Sequence, residues 1–186
     1  MNPLRCLSVM LCVLLALPAY AFDERDPFGF RRDTYTSDAD ESANQEWSED
    51  EAPLPPYPEA RNLYSFYVSA TATSRFFVDT QHLDIGKDGV VRYTLMIVSP
   101  SGVKNVSYEG IRCETRQKRT YALGRPNNAW SKARGALWTP IRNETTNRYH
   151  AALFLDFFCP DGIIAAKAED VRKAIRKAGE PFGQSN

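Results

Sequence analysis

Two cysteines do most to constrain this chain, because the leader decides what they mean. The sequence has four: Cys6, Cys12, Cys113 and Cys159. Residues 1–21 read as a secretory signal. Arg5 supplies the positive start, and Leu7 to Leu17 is an apolar run too short to span a bilayer and stay as an anchor. Ala19-Tyr20-Ala21 is the small-x-small pattern at which signal peptidases cut. Cys6 and Cys12 leave with the signal. Cys113 and Cys159 remain, in a compartment that permits disulfides. We expect them to be bridged, which over a loop of this length is worth roughly 3–4 kcal/mol. The alternative is two reduced, buried thiols. A lipidated Cys12 is the lesser reading, because Leu11 is not the small residue that a lipid-modified cysteine needs before it.

Residues 22–186 suffice for one ordinary domain with a real core. No later apolar run approaches membrane-spanning length, so no transmembrane segment is expected after signal removal. The net charge is zero, with 23 basic and 23 acidic residues, but the charges are segregated. Residues 22–60 carry a balance of −9 and residues 61–186 a balance of +8. Residues 22–58 are assigned to an acidic disordered tail ending in the Pro-rich linker Ala52-Pro-Leu-Pro-Pro-Tyr-Pro58. Phe28, Phe30, Tyr35 and Trp47 interrupt that stretch as aromatics able to dock elsewhere.

Residues 59–180 form the expected domain, of α+β class, with residues 181–186 a disordered end. Alternation from Leu63, the short run Arg75–Asp79, and the strong pattern Val90–Val98 predict strands, followed by Lys104–Glu114 and Arg116–Leu123. Gly86–Gly89 and Ser99–Gly102 read as turns. Close spacing with short turns predicts an antiparallel sheet of about five strands. Asn143–Cys159 reads as a helix with Tyr149, Leu153 and Phe157 on one face, and Ala166–Ala178 as a second, basic helix. The two helices pack on the sheet, and a Cys113–Cys159 bridge pins the first one to it.

Several segments carry a resemblance. They are Phe66-Tyr-Val-Ser-Ala70, Arg75-Phe-Phe-Val-Asp79, Asp88-Gly-Val-Val-Arg-Tyr-Thr-Leu95, Asn105-Val-Ser-Tyr-Glu-Gly-Ile-Arg-Cys113, Tyr121-Ala-Leu-Gly124 and Phe157-Phe-Cys-Pro160. Together they resemble the cryptic neisserial protein family of exported bacterial proteins, over about residues 60–180 with the acidic tail outside. The resemblance implies a Gram-negative envelope location and brings no catalytic residues. A looser similarity, in Phe77-Val-Asp79 and Cys113-Glu-Thr-Arg116, is to the surface-adhesin protein E family. It implies a sheet with packed helix and disulfide, and binding rather than catalysis.

Motifs for catalysis are sparse. There is no Gly-x-Ser-x-Gly elbow, and the two histidines, His82 and His150, read as solvated or capping residues. No Cys-x-x-Cys or His-Glu-x-x-His spacing points to a metal, and the turn acids Asp79, Asp84 and Asp88 lack a calcium-loop pattern. We expect no metal and no cofactor. Glu109 and Glu114 are the candidates for a hydrolytic carboxylate pair, with an ion pair of Glu109 to Arg112 or Arg92 the preferred reading.

The basic cluster is the best functional signal. Arg112, Arg116, Lys118 and Arg119 fall on neighbouring strand positions, with Arg125, Lys132 and Arg134 in the loop beyond and Trp130 and Trp138 among them. Even-numbered Arg112, Arg116 and Lys118 are expected on one face. Basic groups beside aromatics suit anionic polymers. The competing reading is an ordinary solvated sheet face. The expected role is that of a non-catalytic envelope protein, periplasmic or else outer-membrane-associated or secreted. It binds an anionic envelope component or a partner protein, nucleic acid not being the expected partner. The alternatives are an assembly factor acting through the acidic tail and, less favoured, a cell-wall polymer hydrolase. The −9 tail over the +8 domain suggests self-screening.

Overall fold

The computed structural model describes residues 46–144 and 148–184. The leader and residues 22–45 of the acidic tail therefore lie outside the described residues. From Glu46 onward the chain forms one compact unit.

The described strands are β1 (Leu63–Ser65), β2 (Arg75–Asp79), β3 (Asp84–Ile85), β4 (Val90–Val98), β5 (Lys104–Arg112), β6 (Gln117–Gly124), β7 (Trp130–Lys132) and β8 (Thr139–Pro140). All pair antiparallel, in the order β1-β2-β4-β5-β6-β7, with β3 beside β4 and β8 beside β6. The expected five strands are joined by β3, β7 and β8, two- and three-residue pieces too short to show a two-residue period. β4 and β5 form the spine, nine residues each and paired along their whole length. β-branched and aromatic residues dominate β4, as suits a doubly covered central strand. Gly102, at φ +83°, closes the β4–β5 turn, where a side chain would be strained.

Odd positions of β4 face the helices. Val91, Tyr93 and Leu95 pack there with Ile111, Leu153, Phe154, Phe158, Val171 and Ile175. The first helix is shorter than Asn143–Cys159. Its described α-helical part, α1, is Arg148–Leu153, and Phe154–Phe158 widens into a π turn closed by Cys159 N–H donating to the Phe154 carbonyl at 2.8 Å. The extra residue rotates the stripe, so that Phe158 is fully buried while Phe157 is half-buried. It also delivers Cys159 to Cys113 in a disulfide with Cα atoms 5.6 Å apart. The second helix, α2, is Ala168–Ala178, with Val171 and Ile175 buried against the sheet as expected. Among the described residues, no helix is long and apolar enough to cross a membrane.

Even positions of β4 face the other way. There Met96 and Val98 form a second core with Leu63, Phe77 and Val106, covered by Tyr57, Trp130 and Phe182. Two expectations change here. The C-terminus is tied down as far as it is described, because Phe182 N–H donates to the Leu63 carbonyl at 2.8 Å and its ring meets Phe77 edge-on. Residues 46–58, grouped by their acids and prolines with the disordered tail, lie against the sheet instead. They hold no regular secondary structure. With no N–H at Pro53, Pro55, Pro56 and Pro58, the segment cannot pair as a strand there, and it is held by side chains and by isolated backbone groups at Asp50 and Pro55. We call this segment the strap.

Candidate functional site

The strap meets the sheet where its face turns polar. Arg92 of β4, Gly110 of β5 and Arg119 of β6 stand side by side across three strands. A bulge next to Tyr108 and Glu109 adds one residue to β6, namely Tyr121. Gly110 makes room for it. A Cβ at Gly110 would lie 2.5 Å from the Tyr121 hydroxyl.

Donors from these strands and from the loop before β8 converge on one strap carboxylate. Oε1 of Glu49 accepts a hydrogen bond from the Tyr121 hydroxyl at 2.7 Å. Oε2 accepts from Trp138 Nε1 at 3.1 Å and from Arg119. Arg92 Nη2 lies 3.9 Å from Oε1. Burial and then the bond to Glu49 push the Tyr121 phenol well above its ordinary value, so it stays a donor.

Trp47 extends the contact. Its ring lies 3.9 Å from the Arg112 guanidinium carbon, its Nε1 donates to the Asp88 carbonyl at 2.8 Å, and its edge meets Trp138 at 6.0 Å. Asp50 N–H donates to the Asp88 carboxylate at 2.9 Å, and Arg92 donates to the Asp50 carbonyl at 3.1 Å. Arg92 also holds Asp88 through both carboxylate oxygens, at 3.1 and 2.5 Å. Burial alone would raise the Asp88 carboxyl. The Arg92 hydrogen bond, with the amides of Asp50 and Val90, outweighs burial and holds it below the ordinary range. Further along, Trp130 Nε1 donates to the Pro55 carbonyl at 2.8 Å and its ring packs on Tyr57. Beside Glu49 a groove of about 590 Å³ runs past Leu54, Arg119, Tyr121, Lys132 and Leu137.

The expected basic cluster is divided by the fold. Arg112 and Arg119 share the strap face and form the cradle, with Arg112 also paired to Glu114. Lys132 borders the groove. Lys118 stands opposite Ile111 and so belongs to the helix side, contrary to the even-position expectation. The cause is that the four residues between β5 and β6 set the register, so an odd β6 position opposes an even β5 position. Arg116 is exposed in that turn over the Phe154 ring, Arg125 donates to Ser131 Oγ, and Arg134 is exposed in the following loop.

The cluster also left out Arg92, Tyr121 and Asp88. Arg92 carried a signal: it is the one charged residue in β4, on the face opposite the apolar stripe. Tyr121 carried none, since the bulge decides its direction.

A second polar group lies in the helix-side core. Glu109 accepts hydrogen bonds from Ser107 Oγ at 2.7 Å and the Tyr93 hydroxyl at 3.0 Å, and its Oε2 lies 2.7 Å from His150 Nε2. Glu109 and His150 are 5% and 1% exposed. Both expectations for them change. Glu109 pairs with neither arginine, and His150 is no solvated flank, because α1 turns it inward onto the sheet. The pair braces α1 against β5. His82 is half-buried, with Nδ1 2.8 Å from the buried Asp79 carboxylate. No cluster of histidine, cysteine and carboxylate groups suited to a metal occurs among the described residues.

Cryptic neisserial protein 1 of Neisseria gonorrhoeae (strain ATCC 700825 / FA 1090) is 28% identical over 179 residues, covering 87% of this chain and 86% of its own length. No solved structure matches the chain. The sequence model of the CNP1-like family matches residues 42–176, a span that takes in strap, cradle and both bridged cysteines and reaches further toward the N-terminus than the segments that carry the resemblance. With nearly three-quarters of its length matched in this way, the chain belongs to the CNP1-like family.

Proposed function

We propose that the protein is a non-catalytic, exported module of the cell envelope, acting in the periplasm, that binds anionic groups of an envelope component or a partner protein through the Arg92–Arg112–Arg119 cradle. One observation carries the reading. Three donors converge on the Glu49 carboxylate, with the Arg92 guanidinium 3.9 Å away, so the chain has built an anion site and placed its own anion in it. The leader pattern and the disulfide support export. Glu109, a candidate hydrolytic acid by sequence, is engaged by His150, Tyr93 and Ser107 in the core, which favours binding over catalysis.

The test is binding of the full chain and of Glu49→Gln to lipopolysaccharide and to peptidoglycan across a salt series. Glu49→Gln removes the internal anion's charge and is expected to bind more tightly, with affinity falling steeply as salt rises. Absence of binding by either form to any anionic component or acidic partner would refute the reading.

A further inference from the structure

We propose that the cradle takes an acidic peptide segment of a partner protein, with an aromatic residue two positions before a carboxylate, and that the strap is a tethered competitor for it. This rests on the reading of the cradle as an anion site and narrows its ligand.

The strap shows what the site recognises. Trp47 and Glu49 stand two apart, and each has its own receptor. The indole lies against Arg112 and donates to the Asp88 carbonyl. The carboxylate has separate donors for its two oxygens, Tyr121 for one and Trp138 with Arg119 for the other. Just past the carboxylate the site reads backbone. Asp50 N–H reaches the Asp88 carboxylate and Asp50 C=O receives Arg92.

Asp88 decides between classes of anion. It is 1% exposed and sits beside the arginines with an oxygen aimed at a peptide N–H. A phosphate or sulfate polymer brings no N–H to that oxygen and meets its negative charge. A peptide satisfies it. The cradle is therefore matched to an acidic peptide and mismatched to a polyanion without amides.

The strap is also held in a way that permits exchange. It adds no strand to the sheet and has no regular structure. The sheet face under its acidic half is polar, made of Arg92, Arg112, Arg119 and Tyr121, and stays compatible with water when uncovered. Thr94, on the same face opposite Tyr108, has a buried hydroxyl with no partner among the described atoms. The groove beside Glu49 has one wall made by the strap, and its other wall, which stays when the strap leaves, offers Lys132 and the exposed Leu137 to a ligand that continues past the carboxylate. A partner segment filling it gains contacts that the strap leaves unused, and so can overcome the millimolar effective concentration of a tether.

The experiment uses the full chain, wild type and Trp47→Ala/Glu49→Ala. The probes are a labelled peptide of sequence 46–58, the same peptide with Glu49→Gln and Trp47→Ala, and dextran sulfate as an amide-free polyanion. The double variant is expected to bind the peptide about 10- to 100-fold more tightly than wild type, whose own strap competes. The substituted peptide is expected to lose about ten-fold or more, as is the double variant carrying Arg119→Ala.

Dextran sulfate bound without the peptide would overturn this inference and leave the anion reading standing. No binding of either probe would overturn both. Wild-type dimers that vanish in the double variant would put a second copy's strap in the cradle and overturn the partner assignment. Should the double variant not fold, excess peptide on the wild type is expected to speed amide exchange in residues 46–52, and unchanged exchange would refute the exchangeable strap.

Discussion

The Trp47 ring lies 3.9 Å from the Arg112 guanidinium, joining an acidic N-terminal stretch to the end of the central strand β5. Residues that composition assigns to a tail thereby cover one face of the sheet. The contact has consequences for where the domain can be cut. Removing residues 1–45 gives the reference urea midpoint. Removing residues 1–58 also strips Trp47 and Tyr57 from their partners and should cost on the order of 3 kcal/mol. Equal midpoints for the two truncations would show that the strap adds nothing to the fold.

Gly110 and Tyr121 are expected to act as one unit. A Cβ at Gly110 would lie 2.5 Å from the Tyr121 hydroxyl and 2.9 Å from a Val90 methyl. Gly110→Ala should destabilise by about 1–3 kcal/mol, as overpacking does, and push the phenol away from Glu49. With Tyr121→Phe already in place, which frees space at that hydroxyl, the same substitution should cost less. A double-mutant cycle on thermal unfolding checks this, and strict additivity would refute the coupling.

The buried Glu109–His150 pair sets an acid limit on stability. Burial alone would raise the Glu109 carboxyl. The hydrogen bond and charge of His150, with the Ser107 hydroxyl, outweigh burial and hold it below the ordinary 4.5. A depressed value in the folded state means that the contribution is complete above the unfolded-chain value. It is lost as pH falls through the lower folded value. Wild type should therefore lose stability faster than Glu109→Gln on acidification from about pH 5 to about pH 3, measured by urea unfolding. His150→Ala leaves a buried carboxylate without its partner and should cost about 3–5 kcal/mol at neutral pH.

The disulfide closes a loop of 46 positions between β5 and the end of the π turn. Replacing both cysteines by serine should lower stability by about 3–4 kcal/mol. The loss should appear first in Arg148–Phe158, since the bridge ties that helix to the sheet. Hydrogen exchange would show faster opening of Arg148–Phe158 than of β4 and β5. Uniform acceleration across the chain would refute that order.

The sequence alone determined whatever depends on short-range pattern. The alternation in Val90–Val98 marked the central strand, and the stripe of Val171 and Ile175 marked α2. The leader pattern set Cys113 and Cys159 apart and so pointed to their bridge, and the family segments pointed to the family. These signals are local, or survive as composition. Tertiary structure decided the rest. A bulge turns Tyr121 into the cradle, a four-residue turn puts Arg119 rather than Lys118 beside Arg112, and a π turn exchanges Phe157 for Phe158 in the core. Each is a shift of one residue, and in a sheet or helix one residue moves a side chain to another face without changing composition or charge. The strap is the extreme case. Its acids and prolines read as disorder because nothing nearby in the chain satisfies them, while their partners are 38 to 89 positions away and meet them only once the sheet has formed.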